Sequence, residues 1–101
     1  MKEQVIEYIK GNADLKSYFE SAWRRLQQLR NHVERAERFA KDERWDDRNK
    51  AVDEAGKLGY FNQGFLECAS RACDSPYDGT MLENVLYSMT QDDAAKLFQP
   101  K

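Results

Sequence analysis

Leu15, Phe19, Ala22, Leu26, Leu29, Val33, Ala36 and Ala40 succeed one another at alternating steps of 4 and 3 residues, with no glycine or proline among the residues between them. A repeat of this kind lines apolar side chains along a single seam of an α-helix. It predicts a helix of about 25–30 residues, on the order of 40 Å long at ~1.5 Å per residue. An apolar seam of that length is not stable alone in water and requires a partner helix of similar length.

The stretch from about Trp45 to Cys73 supplies the partner. Asp46 and Asp47 suit a helix N-terminus, where a carboxylate meets the positive end of the backbone dipole. Ala51, Val52, Ala55, Leu58, Gly59, Phe65, Leu66, Ala69, Ala72 and Cys73 cover a broad arc in which small residues dominate. Small side chains let this helix come close to the larger Leu and Phe side chains of the first. Gly56, Gly59 and Gly64 each weaken a helix by about 1 kcal/mol relative to alanine. A kink or break between Gly59 and Gly64, with Asn62 capping a restart, is therefore the alternative to one continuous helix.

Shorter helices flank this pair. Val5, Ile6 and Ile9 mark one side of a helix from about Lys2 to Lys10, ended by Gly11, and Asn12 or Asp14 can cap the long helix that follows. Residues 73–79 read as a loop. Thr80 and Glu83 have the spacing of a capping box and open a helix carrying Leu82, Val85, Leu86 and Met89. Thr90 to Asp93 is a second cap, before Ala94, Ala95, Leu97 and Phe98, and residues 99–101 form a tail. There is no sustained alternation of the β type. The fold class expected is all-α, a small helical bundle in one domain over 1–101. A long antiparallel helical hairpin (12–43 against 46–73) is joined by the N-terminal helix and the short helical pair 80–98.

The chain has 101 residues, of which 41 % are hydrophobic, enough for a modest core and against wholesale disorder. No apolar run is long enough for a membrane span, and the N-terminus lacks the apolar segment of a signal peptide. Cys68 and Cys73, five residues apart on a helix, point in different directions and suit reduced thiols better than a local disulfide. A cytoplasmic protein is expected on these grounds. The net charge of −2 hides a division: residues 21–41 carry six basic and two acidic side chains, residues 51–101 four basic and eight acidic. The two regions can pair internally, pair between subunits, or face separate partners.

Little in the sequence suggests catalysis. There is no Gly-x-Ser-x-Gly elbow, no phosphate-binding glycine loop and no His-Glu-x-x-His. Asp46-Asp47 and Asp92-Asp93 are adjacent pairs, which diverge by about 100° on a helix and do not converge on one proton or metal. His32 with Cys68 and Cys73 lacks the spacing of a zinc site. No enzyme, metal site or cofactor is expected. The segment Met89-Thr90-Gln91-Asp92-Asp93-Ala94-Ala95-Lys96-Leu97-Phe98 resembles the opening helix of the helix-turn-helix in phage-repressor-like regulators. The turn and recognition helix that would follow are not in the sequence, which stops at Lys101, so no major-groove reader is expected.

Twelve aromatic residues, five Phe, five Tyr and two Trp, exceed what so small a domain can bury. The two long helices can bury Phe19, Phe39, Phe61 and Phe65, while Trp23, Trp45, Tyr18, Tyr60, Tyr77 and Tyr87 are harder to hide together. Trp, Tyr and Arg are enriched in interface hot spots. Trp23, Arg24, Arg30, Arg35, Arg38 and Trp45 are accordingly the candidate partner-binding residues, a rigid and partly basic contact face. The function expected is non-catalytic: a small accessory or inhibitor protein, similar in style to those of phages and other mobile elements, that occludes or scaffolds a protein partner. A structural homodimer and a nucleic-acid-associated transcriptional regulator are the alternatives, the second disfavoured by the negative net charge.

Overall fold

A computed structural model describes residues 2–98, and the expected tail lies outside them. Among the described residues there are five helices and no strand: α1 (Lys2–Lys10), α2 (Ala13–Lys41), α3 (Trp45–Ala72), α4 (Gly79–Ser88) and α5 (Gln91–Phe98). The bundle built on an antiparallel hairpin is as the sequence predicts.

Each helix boundary has a local cause. Gly11 ends α1, and the Asn12 side chain caps α2 by accepting from the Leu15 amide at 3.0 Å. At the far end of α2 the Arg44 amide donates to Phe39 O and the Glu43 amide to Ala40 O. This is a Schellman closure, with Glu43 rather than glycine in the left-handed region at φ 58°. The same device ends α3, where Ser75 donates to Ser70 O, Asp74 donates to Arg71 O, and Asp74 has φ 51°. Asp46 and Asp47 fall in the first turn of α3, as expected.

The fourth helix starts differently from the sequence reading. Asp78, not Thr80, is its cap and accepts from the Met81 amide at 2.8 Å. The reciprocal capping box forms one helix later. The Thr90 amide donates to the Asp93 carboxylate at 3.0 Å, and the Asp93 amide donates to the Thr90 hydroxyl at 3.1 Å. Lys2 also reaches Asp93 at 3.0 Å and ties α1 to α5. The Thr90 amide, and then Lys2, hold the Asp93 carboxyl below its ordinary pKa.

α3 runs unbroken through Gly59 and Gly64. Asn62 is no cap: it is fully buried in the hairpin seam, where its amide nitrogen donates to Ala22 O at 3.0 Å. That bond satisfies a polar group which would otherwise be costly to bury. A Cβ at Gly59 would lie 3.5 Å from Leu29 Cδ1, an ordinary van der Waals contact.

The hairpin has two unequal halves. At its base, α1, α4 and α5 cover the seam, and Val5, Ile9, Leu15, Phe19, Trp23, Leu26, Leu66, Leu82, Leu86 and Leu97 form one apolar core with their neighbours. Towards the turn only α2 and α3 remain. Ala36, Ala51 and Ala55 are buried between them, but Val33 is 40 % exposed and Val52 and Trp45 stand open. The overall dimensions of 47 × 26 × 22 Å reflect this projecting tip. The expected seam is therefore sealed over its first half and partly open over its second.

The two halves should respond differently to truncation. Leu26→Ala, at the base, should lower stability by about 2–5 kcal/mol, and Val33→Ala by less than about 1 kcal/mol, as measured by chemical denaturation.

Glycines allow a second comparison. At Gly79 the α4 backbone lies directly against α3: a Cβ would come within 2.7 Å of the Glu67 Cα and 2.8 Å of its amide nitrogen. At Gly64 a Cβ would meet nothing within 4 Å. Gly64→Ala should raise stability by about 0.5–1 kcal/mol, whereas Gly79→Ala should lower it by about 2 kcal/mol or more; thermal melts of both variants check the opposite signs.

Candidate functional site

The structure distributes the six sequence-predicted residues over three places. Trp23 is 7 % exposed and packs against Phe98, with ring centroids 6.5 Å apart. It belongs to the core and is not available as a contact anchor, which corrects the sequence reading. Arg30 lies over the Trp23 ring at 5.6 Å, on the body side of α2. Trp45 stands 56 % exposed at the hairpin turn.

Only Arg24, Arg35 and Arg38 share the outer face of α2, with Gln28 and Asn31. Arg24 is paired with Glu20 at 2.7 Å. Arg35 stacks at 5.9 Å from the Phe39 ring, which Arg44 also approaches at 4.9 Å. The favourable spacing of Glu34 and Arg38 does not produce an ion pair. Gln28, Asn31, His32, Arg35 and Arg38 line a shallow depression on this helix.

A second constellation, on the flank where α2 meets α3, was not legible as a site. Phe61 is 56 % exposed rather than buried by the hairpin. It stacks on Phe65 with ring centroids 6.0 Å apart, and Tyr18 meets Phe65 edge-on at 5.8 Å. The Arg25 guanidinium carbon lies 4.5 Å from the centre of the Phe61 ring and 4.3 Å from that of Phe65. Arg25 donates to Ser21 Oγ at 2.7 Å and to Asn62 Oδ1 at 3.1 Å. No carboxylate pairs with it among the described residues. Partial burial pulls its pKa below the ordinary arginine value.

The surroundings of Arg25 are mixed in charge. A groove of about 530 Å³ runs between the helices, lined by Ser21, Arg24, Arg25, Gln28, Glu54, Lys57, Leu58 and Phe61. Lys57 is held by Asp53 at 3.3 Å and Glu54 at 3.6 Å. The Asp53 hydrogen bond, with both carboxylate charges, raises the Lys57 pKa. Tyr60, beside Phe61, is 81 % exposed.

The signal for this site was spacing. Tyr18, Arg25 and His32 recur at seven-residue intervals along the edge of the apolar seam, a position that flanks the partner helix.

The potential nucleophiles are elsewhere. His32 borders Lys50, Ala51 and Glu54 near the hairpin turn. Cys68 is 14 residues beyond Glu54 on α3, about 20 Å along its axis. No three His, Cys, Asp or Glu side chains converge as a metal-ligand group among the described residues. No described helix is long and apolar enough to cross a membrane. No family model, curated protein or solved structure matches the chain.

The two thiols differ in environment. Cys68 is exposed and Cys73 half-buried. Burial, and secondarily Asp14, push the Cys73 pKa up. Iodoacetamide at neutral pH should therefore label Cys68 several-fold faster than Cys73, as read by peptide mass mapping.

Proposed function

We propose that this protein is a non-catalytic binding module that acts by occupancy, docking on another protein through the α2–α3 flank and so occluding or scaffolding it. The observation that carries the reading is Arg25, which lies over two phenylalanine rings, one of them the exposed Phe61, with no carboxylate partner among the described residues. Arginine and large aromatic side chains at one place are the composition of a hot spot. The side chains stand on two packed helices, so little ordering entropy is lost on docking. An accessory or inhibitor protein of the phage or mobile-element kind would work in this way. The outer arginines, Arg35 and Arg38, and the turn residue Trp45 then belong to the rim of the contact or to no contact.

A homodimer is the second reading, favoured by one observation: Val33, Val52 and Trp45 leave the distal seam uncovered where α1, α4 and α5 no longer reach. Sedimentation of the purified chain separates the two readings.

Affinity capture with tagged variants tests the main one. Tyr60→Ala with Phe61→Ala should reduce recovery of the partner by about tenfold or more, with the melting temperature little changed. Arg35→Ala with Arg38→Ala should change recovery by less than about threefold. The reverse pattern would move the interface to the outer face of α2.

A further inference from the structure

We infer that the groove between α2 and α3 is an acidic-peptide site, in which a partner carboxylate docks on the Arg25 guanidinium while an adjacent apolar side chain covers Phe61. The inference rests on the protein-binding reading and specifies the chemistry of its partner.

Guanidinium has five N–H donors. Two are used, on Ser21 Oγ and Asn62 Oδ1, leaving three uncommitted among the described residues. The two bonds and the two rings hold the group in place, so its fork is oriented before any ligand arrives. It is also half-buried, and so partly stripped of water. An oriented, under-solvated guanidinium without a counter-ion is matched by a carboxylate, which accepts two parallel hydrogen bonds from it. The other two cations lining the groove are already engaged, Arg24 by Glu20 and Lys57 by Asp53 and Glu54. The groove therefore offers one strong anion position and not a track of them. Beside that position lie Leu58 and the exposed Phe61 ring, which give an apolar residue next to the acid a surface to cover.

A single anion position with an apolar wall suits an acidic protein segment. A nucleic acid requires several phosphate contacts in succession and binds with a steep salt dependence.

The test uses the full chain, immobilised, against a phage library of random dodecapeptides at physiological salt. Enriched peptides should carry Asp or Glu next to an aromatic or aliphatic residue. The best of them, synthesised, should bind Arg25→Gln about tenfold or more weakly than the unaltered protein, with Arg25→Lys between the two. Arg25 also supports the rings, so a measurement on the unaltered protein stands beside the variants: in NMR spectra the Arg25 Nε–Hε signal should move most among the arginines when the peptide is added.

Enriched peptides without acids, or acidic peptides that bind Arg25→Gln equally well and leave the Arg25 signal unmoved, overturn the acidic assignment. If those peptides are still lost on Tyr60→Ala with Phe61→Ala, the protein-binding reading stands without it. A library giving no enrichment over the bare support, with salt-sensitive binding of an RNA or DNA oligonucleotide instead, overturns both.

Discussion

The close approach of α3 to α2 is the constraint on which the remaining structure depends. The small side chains of Ala51, Ala55 and Ala69 are buried along this flank, where Leu26 and Leu66 join one core and Leu29 packs against it. A helix that approaches so closely must also settle its polar groups. Asn62 does so by donating to the Ala22 carbonyl of α2 and accepting from Arg25. The same residue thus satisfies the interior of the hairpin and orients the guanidinium on its flank. Packing and candidate recognition chemistry meet in one side chain.

The long helix was legible because its evidence is local and repetitive: eight apolar residues in register and no residue that interrupts them. Asn12 and the Thr90–Asp93 box were legible for the same reason, since a cap acts within four residues of itself. The misread features all depend on what lies across from a residue. Trp23 is buried in the core, with Phe98 of α5 and Arg30 against its ring. Phe61 has a core-like side chain and is open because no helix packs over that flank. Asp78 and Thr80 are both competent caps, and only the path of the preceding loop selects Asp78. The need for glycine at 79 comes from the α3 backbone, twelve residues earlier in the chain.

Charge shows the same difference between composition and arrangement. The excess of basic residues in α2 suggests a partly basic contact face. In the structure Arg24 pairs with Glu20, Arg30 lies over Trp23, and Phe39 is approached by Arg35 of the same helix and by Arg44 at the start of α3. The arginines serve mainly as covers for aromatic rings, each contributing on the order of 0.5–1 kcal/mol at such exposed sites. Arg25 differs from them in lying over two rings while donating to two neutral hydrogen-bond acceptors.

The unequal thickness of the molecule bears on its cooperativity. Near the base α2 and α3 are covered by α1, α4 and α5, while beyond Val33 each has only the opposing helix of the hairpin. Local opening requires less free energy where fewer buried contacts must be broken. The turn end can therefore unzip while the base stays folded. A spectroscopic reporter at Trp45 would then detect local opening before one at Trp23 follows the unfolding of the base.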